Sequence, residues 1–190
     1  MSRIAILIDD LFEDSEFRVP YDRLRAAGHQ VDVVGRQPGG EVVGKQQKER
    51  VQIERSAHDV REEEYDALVI PGGYSPDHLR TDADAVGFTR AMGLANKPVA
   101  AVCHAGWMLI EADLAATRLV TSWPSIKTDL VNAGAQWLDR EVVVDGNIIT
   151  SRKPADLAAF SDAILHALDV GVPERPDPNL VAETEAVTVH

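Results

Sequence analysis

A single cysteine, Cys103, stands in 190 residues. It cannot close an internal disulfide, so a reducing cytoplasm is the setting it predicts. Basic residues are scarce: 19 lysines and arginines face 31 aspartates and glutamates, for a net charge of -12. Nucleic acid selects basic surfaces, so this balance argues against it as a partner and predicts good solubility instead. No apolar run is long enough to span a bilayer, and the N-terminus has no signal-peptide pattern, so no membrane partner is expected. Gly-rich phosphate loops, internal repeats and low-complexity tracts are absent. His29, His58, His78, His166 and His190 are scattered without the spacing of zinc ligands. Asp9, Asp10, Glu13, Asp14 and Glu16 offer oxygen ligands, but not at the spacing of a calcium loop. No metal and no cofactor are therefore expected.

What remains is ordinary globular composition, 45% hydrophobic and 26% charged, in a length that suits one domain around one core. Arg3 to Ile8 reads as a fully buried strand, followed by an acidic loop from Asp9 to Asp14. Phe17 to Ala27 has helical spacing, with Pro20 in its first turn and Gly28 as C-cap. Gln30 to Val34 is a second strand, and short strands are expected near Val42 and over Val51 to Ile53. Tyr65 to Ile70 is a buried strand closed by Pro71-Gly72-Gly73. A helix over Asp82 to Ala95 leads to the strand Val99 to Val102. Helices follow over Ala105 to Ala112 and Ser125 to Ala133. Glu141 to Thr150 reads as a hairpin turned at Asp145-Gly146, and Pro154 to Leu168 as a last amphipathic helix.

Strands alternating with helices predict an α/β fold: a doubly wound, mostly parallel sheet with helices on both faces and a small β-hairpin. Residues 1–170 form the expected single domain. Residues 171–190, with Pro173, Pro176 and Pro178 among Glu174, Asp177, Glu183 and Glu185, read as a mobile acidic tail. Parallel sheets place ligands at the carboxyl ends of their strands. Three such ends stand out: the acidic loop after Ile8, the glycine pair after Ile70, and Cys103 after Val102. An abrupt change from strand to helix at Cys103 has the layout of a nucleophile elbow. The N-terminus of the next helix would favour the thiolate. Glu13, Asp14 and Ser15 have a second local reading as helix caps, and Gly72-Gly73 a second reading as a plain turn.

Leu11-Phe12-Glu13-Asp14-Ser15-Glu16, Val69-Ile70-Pro71-Gly72-Gly73 and Ala101-Val102-Cys103-His104 each follow a buried strand, in that order. With Thr121-Ser122-Trp123-Pro124 and Ser151-Arg152-Lys153-Pro154-Ala155-Asp156-Leu157 they resemble the PfpI family. These are the so-called intracellular cysteine proteases of the class I glutamine amidotransferase-like superfamily, to which a human parkinsonism-associated deglycase also belongs. The resemblance spans about Arg3 to Leu168 and implies a flavodoxin-like fold. It implies Cys103 as nucleophile and Glu13 as the glutamate that hydrogen-bonds it and relays a proton, with Glu16 also facing the pocket. The amides of Gly73 and His104, with Gly72 alongside, are implied as an oxyanion hole.

His104 follows Cys103 directly, so its side chain is expected to leave in another direction. In the peptidase members an acid from a neighbouring subunit orients this histidine, and its position here is Asp77. Those members carry glutamate there, Gly-Pro where Ala105-Gly106 stands, and tyrosine beside the site where Trp123 stands. These differences favour carbonyl chemistry over peptide hydrolysis. The resemblance implies a homo-oligomer, with Asp77 and Trp123 near a subunit contact.

Other classes fit less well. A phosphoacceptor receiver domain needs an aspartate where Pro71-Gly72-Gly73 stands. A glutamine amidotransferase needs a histidine and a glutamate well downstream of the cysteine, and the later histidines, His166 and His190, fall on the last helix and the tail. The expected function is stress protection by a cysteine enzyme acting on a small carbonyl substrate such as methylglyoxal, or on a glycated protein or peptide. Two readings stand beside it: a peptidase of the PfpI type, and a redox-responsive protein whose Cys103 is oxidised to sulfinic acid.

Overall fold

Runs of Val, Ile, Leu and Ala buried on both faces build the middle of the sheet, as parallel strands covered by helices require. In the computed structural model, which describes residues 1–175, the elements are β1 (Arg3–Leu7), α1 (Asp14–Ala26), β2 (Gln30–Gly35), β3 (Glu41–Val43), β4 (Arg50–Gln52), β5 (Arg55–Ser56), β6 (Ala67–Ile70), α2 (Ser75–Leu79), α3 (Ala83–Leu94), β7 (Val99–Val102), α4 (Gly106–Glu111), β8 (Leu119–Val120), α5 (Lys127–Asn132), β9 (Gln136–Trp137), β10 (Val142–Asp145), β11 (Ile148–Ser151) and α6 (Leu157–Val170). The main sheet has seven strands in the order β10-β11-β7-β6-β1-β2-β5. All its pairings are parallel except that of β10 with β11. The expected hairpin is therefore the edge of the main sheet, with β11 parallel to β7.

Side chains alternate between the faces, as strand geometry demands. Ala5 and Leu7 point to a core shared with Leu79, Phe88, Met92, Met108 and Leu130, under α2 to α5. Ile4 and Ile6 point to a second core with Phe17, Leu24, Phe160 and Ile164, under α1 and α6. Each fully buried side chain of this size contributes about 1.5–3 kcal/mol. From β1 the chain winds outward through β2 and returns to β6 on the other side of β1. That reversal opens a crevice at the carboxyl ends of β1 and β6.

The sequence reading differs in several places. Helix α1 begins at Asp14, so Pro20 lies inside it, buried, and not in its first turn. Its ring has no N–H for the carbonyl of Glu16 four residues back. The expected helices after Cys103, Trp123 and Lys153 each open with a tight 3-10 turn. Strand β5, helix α2 and the small parallel pair of β8 with β9 were not expected. They are too short to carry a period. Among the described residues no helix is long and apolar enough to cross a membrane. Residues 176–190 of the expected tail lie outside the described residues. Arg175 is described, and its guanidinium donates to the Asp145 carboxylate at 2.9 Å.

Candidate active site

The loop after β1 is stitched to the glycine pair after β6. The Glu13 amide donates to the Gly72 carbonyl at 3.1 Å and the Tyr74 amide to the Leu11 carbonyl at 2.9 Å. Gly73 has φ 75°, and a Cβ there would lie 2.4 Å from the Glu13 nitrogen and 2.5 Å from the Leu11 oxygen. Both obstacles are backbone, so they cannot swing aside. Gly73→Ala is expected to cost roughly 3 kcal/mol or more in urea unfolding, combining a forbidden φ with a clash. A cost below about 1 kcal/mol would show that the loop moves freely away from the glycine.

Strand β7 stays extended to Val102 and then reverses at Cys103, which has φ 63°. Left-handed backbone at a side-chain-bearing residue stores about 1–3 kcal/mol. The turn brings Sγ to the amides of Gly73 and His104, both of which favour the thiolate. Cys103 is 7% exposed and opens onto a pocket of about 350 Å³. Glu13, Glu16, Lys45, Gly73, Tyr74, His104, Trp123 and Pro154 complete the lining. Gly72 sits behind it, where a Cβ would press within 2.6 Å of both the Cys103 Cβ and the Glu16 Oε2. A larger hollow of about 500 Å³ beside Met1, His29 and His166 contains none of these groups.

The carboxyl beside the thiol belongs to Glu16, not to Glu13. Glu16 is fully buried, and its Oε2 accepts the Gly72 amide at 2.8 Å. Its Oε1 has no hydrogen-bond partner among the described residues. The carboxyl lies beside the Cys103 side chain. Burial drives Glu16 up to about 8, further than the Gly72 amide can pull it down. It is therefore a neutral acid at neutral pH, with a proton to donate.

Glu13 does other work. Its Oε2 pairs with the Lys45 ammonium at 2.7 Å, and its Oε1 accepts from the Gln46 side chain at 2.7 Å. It sits at the N-terminus of α1 but makes no capping hydrogen bond. Asp14 does not cap the helix either. Its carboxylate collects the amides of Gln46, Lys48 and Glu49 at 2.8–2.9 Å. Burial alone would raise Asp14, but those amides hold it below its usual value. Asp14 thus fastens the turn between β3 and β4, and this turn carries Lys45 into the pocket.

The thiol itself is not activated in the way the sequence suggests. Burial pushes Cys103 up, and a charge on Glu16 would add to that; the Gly73 and His104 amides oppose it. A neutral Glu16 removes the repulsion and faces the sulfur with a proton of its own, so at neutral pH both acids are protonated. His104 also departs from expectation. Its Nδ1 is 3.2 Å from Sγ, and its Nε2 is 3.1 Å from the Ser125 hydroxyl. Burial, helped by Lys45, lowers its affinity for a proton, so it is a neutral imidazole.

Asp77 is exposed on α2 and takes no part in the pocket of its own chain. Trp123 does, and its amide donates to the Cys103 carbonyl at 3.2 Å. Lys45, Tyr74, Pro154 and Ser125 were missed. A cation in a charged loop and a serine at the start of an expected helix look like surface, and no spacing marks them as facing inward.

A model of the DJ-1/PfpI family matches residues 2–167 of this chain. The chain belongs to the DJ-1/PfpI family. It is 47% identical over 167 residues to the Escherichia coli "Protein/nucleic acid deglycase 2", covering 87% of this chain and 97% of that one. It is 44% identical over 166 residues to the Bacillus subtilis "Putative cysteine protease YraA", covering 87% and 98%. Among solved structures, a two-domain Anabaena variabilis protein containing DJ-1/ThiJ/PfpI-like and ferritin-like domains superposes with a TM-score of 0.88 at 41% identity. That match covers 94% of this DJ-1/PfpI chain and 52% of the Anabaena chain, so the likeness spans about half of the larger protein. The E. coli name overturns the exclusion of nucleic acid drawn above from charge. Net charge weakens non-specific binding to the phosphate backbone. It does not forbid chemistry on an adduct that enters a pocket as a small group.

Proposed function

We propose that this DJ-1/PfpI protein is a cofactor-independent cysteine enzyme for small reactive carbonyls, with methylglyoxal as the simplest substrate and early glycation adducts as the larger ones. The observation that carries this reading is Glu16: a neutral, buried carboxyl against a thiol in a pocket of about 350 Å³. The Cys103 thiol gives its proton to the His104 Nδ1, 3.2 Å away, as the sulfur attacks the aldehyde carbon and forms a C–S bond. The carbonyl oxygen becomes an alkoxide beside the Gly73 and His104 amides and takes the Glu16 proton. The Glu16 carboxylate then removes the hydrogen from the former aldehyde carbon and returns it to the neighbouring carbon, while the hydroxyl proton on the first carbon passes to the oxygen on the second. The result is a thioester of a hydroxy acid. Water cleaves the C–S bond, and the proton held on His104 returns to the sulfur and restores the thiol. Methylglyoxal plus water gives lactic acid, with no oxidant or reductant. Glu13 holds Lys45 at the pocket wall, and Trp123 and Tyr74 form its mouth.

Peptide hydrolysis is the second reading, favoured by the 3.2 Å contact between Sγ and the His104 imidazole, the pairing a thiol needs for acyl transfer. A homo-oligomer remains part of the proposal. Leu11, Tyr74 and Trp123 are 43%, 59% and 40% exposed near the pocket mouth, where a second copy would cover them. A reducing cytoplasm suits the unpaired thiol.

Steady-state conversion of methylglyoxal to lactate by the purified protein, without added metal or nucleotide, tests the first reading. Lactate formation supports it. Cleavage of an unfolded polypeptide without lactate formation transfers the assignment to the second. Neither activity would remove the enzyme reading.

A further inference from the structure

A neutral imidazole is a base at one nitrogen and an acid at the other. Which nitrogen faces Cys103 with a lone pair therefore decides whether His104 can take the thiol proton at all. Both ring nitrogens of His104 are engaged, Nδ1 with Sγ at 3.2 Å and Nε2 with the Ser125 hydroxyl at 3.1 Å. The ring is further held by Trp107, whose centroid lies 5.4 Å away at an interplanar angle of 55°. Trp107 is itself anchored, its indole N–H donating to Asp129 at 2.8 Å. Ser125 is placed by the tight turn Pro124–Ile126, which starts on a proline and has its φ fixed there.

We propose that Ser125 is the positioning residue for His104: its hydroxyl oxygen accepts the Nε2–H, which leaves the Nδ1 lone pair pointed at the Cys103 thiol. This rests on the reading of Cys103 as nucleophile. In the step itself the S–H bond breaks and an N–H bond forms at Nδ1. The Nε2–H stays on the ring, donating to the Ser125 oxygen throughout, and no further reactant is needed. A hydroxyl orients the ring without adding charge, so the imidazole remains neutral at rest. A carboxylate in the same place would hold the imidazolium. The orienting group thus comes from the same chain as the nucleophile, and Asp77 is not needed for it.

The charged or titratable groups that face this pair are Lys45, which disfavours a proton on His104, and Glu16 on the other side of Sγ. Both act on the wild type and on a Ser125 variant alike. Nitrogen-15 NMR of histidine-labelled protein, with the full chain at neutral pH, reads the tautomer directly. The rate of Cys103 alkylation by iodoacetamide against pH reads the base without requiring any turnover. The wild type is expected to show the Nε2–H tautomer. Ser125→Ala should show a mixture of tautomers and alkylate roughly five-fold more slowly near neutral pH, while Ser125→Thr recovers to within about two-fold. In lactate formation the alanine loss should fall on kcat and spare KM. Ser125 is exposed, so the variants fold.

An Nδ1–H tautomer in the wild type overturns the proposal. So does an unchanged tautomer and alkylation profile in Ser125→Ala, or a change that follows Asp77→Asn instead. Absence of lactate formation in the wild type would strike the proposed function and leave the NMR and alkylation readouts to judge Ser125.

Discussion

Cys103→Ala yields a folded protein whose conversion of methylglyoxal falls to background, a loss of at least about 1000-fold in kcat/KM. No neighbour can replace the sulfur. Glu16 carries its proton at neutral pH, and Ser125 lies on the far side of the His104 ring. The change in stability is small by comparison. Alanine loses one buried sulfur and its two amide partners, at about 1 kcal/mol. The left-handed backbone makes a further distinction. With φ at 63°, a side chain at position 103 is strained whatever it is. Cys103→Gly should therefore be about 1 kcal/mol more stable than Cys103→Ala in urea unfolding, and equally inactive. Residual turnover in the alanine variant would sink the assignment of the nucleophile. Equal stability of the two variants would show that the turn carries no strain.

Much of this architecture is legible in the chain because the central strands are buried on both faces. Ile4-Ala5-Ile6-Leu7, Ala67-Leu68-Val69-Ile70 and Val99-Ala100-Ala101-Val102 have no polar residue to break the run. The turns after them announce the crevice. What failed was direction. Glu13 and Glu16 both precede the first clear helical residue, Phe17, and a helix starting there leaves Glu16 outside. Helix α1 in fact starts at Asp14 and buries Glu16, Phe17, Pro20 and Leu24 on one stripe. Those four positions already carry helical spacing, so the signal was present and was masked by the proline. His104 was read as diverging from Cys103, as neighbours in an ordinary helical turn do. The left-handed residue at 103 changes the angle between them. Lys45 comes from a charged loop and Ser125 from the first residue of an expected helix, where local pattern does not say which side chain folds back. Charge misled in another way: a sum over the surface says little about what a pocket of about 350 Å³ admits.

Glu16→Gln separates stability from function most sharply. The glutamine amide oxygen still accepts the Gly72 N–H, and its NH2 still reaches the sulfur, but no proton can be relayed. Turnover should drop by roughly 100-fold or more, the usual weight of a positioned acid or base. Stability moves the other way, and the sign follows from linkage. Burial raises the native Glu16 to about 8 from its ordinary 4.5, so between those values the unfolded chain has lost the proton and the native protein keeps it. The native state then binds more protons, and stability falls as pH rises through that window. By pH 7 the cost of keeping Glu16 protonated is on the order of 3 kcal/mol.

Glutamine does not titrate, so the variant escapes this loss. His104 titrates in both proteins and cancels from the difference between them, and the raised Cys103 thiol stays protonated across the window. Unfolding in urea at pH 5 and pH 8 should therefore show the Glu16→Gln protein gaining on the wild type by a few kcal/mol as pH rises. Parallel curves would mean that Glu16 ionises normally in the folded protein. The acid proposed to move protons beside Cys103 would then be a carboxylate, and the carbonyl mechanism would lose its proton donor.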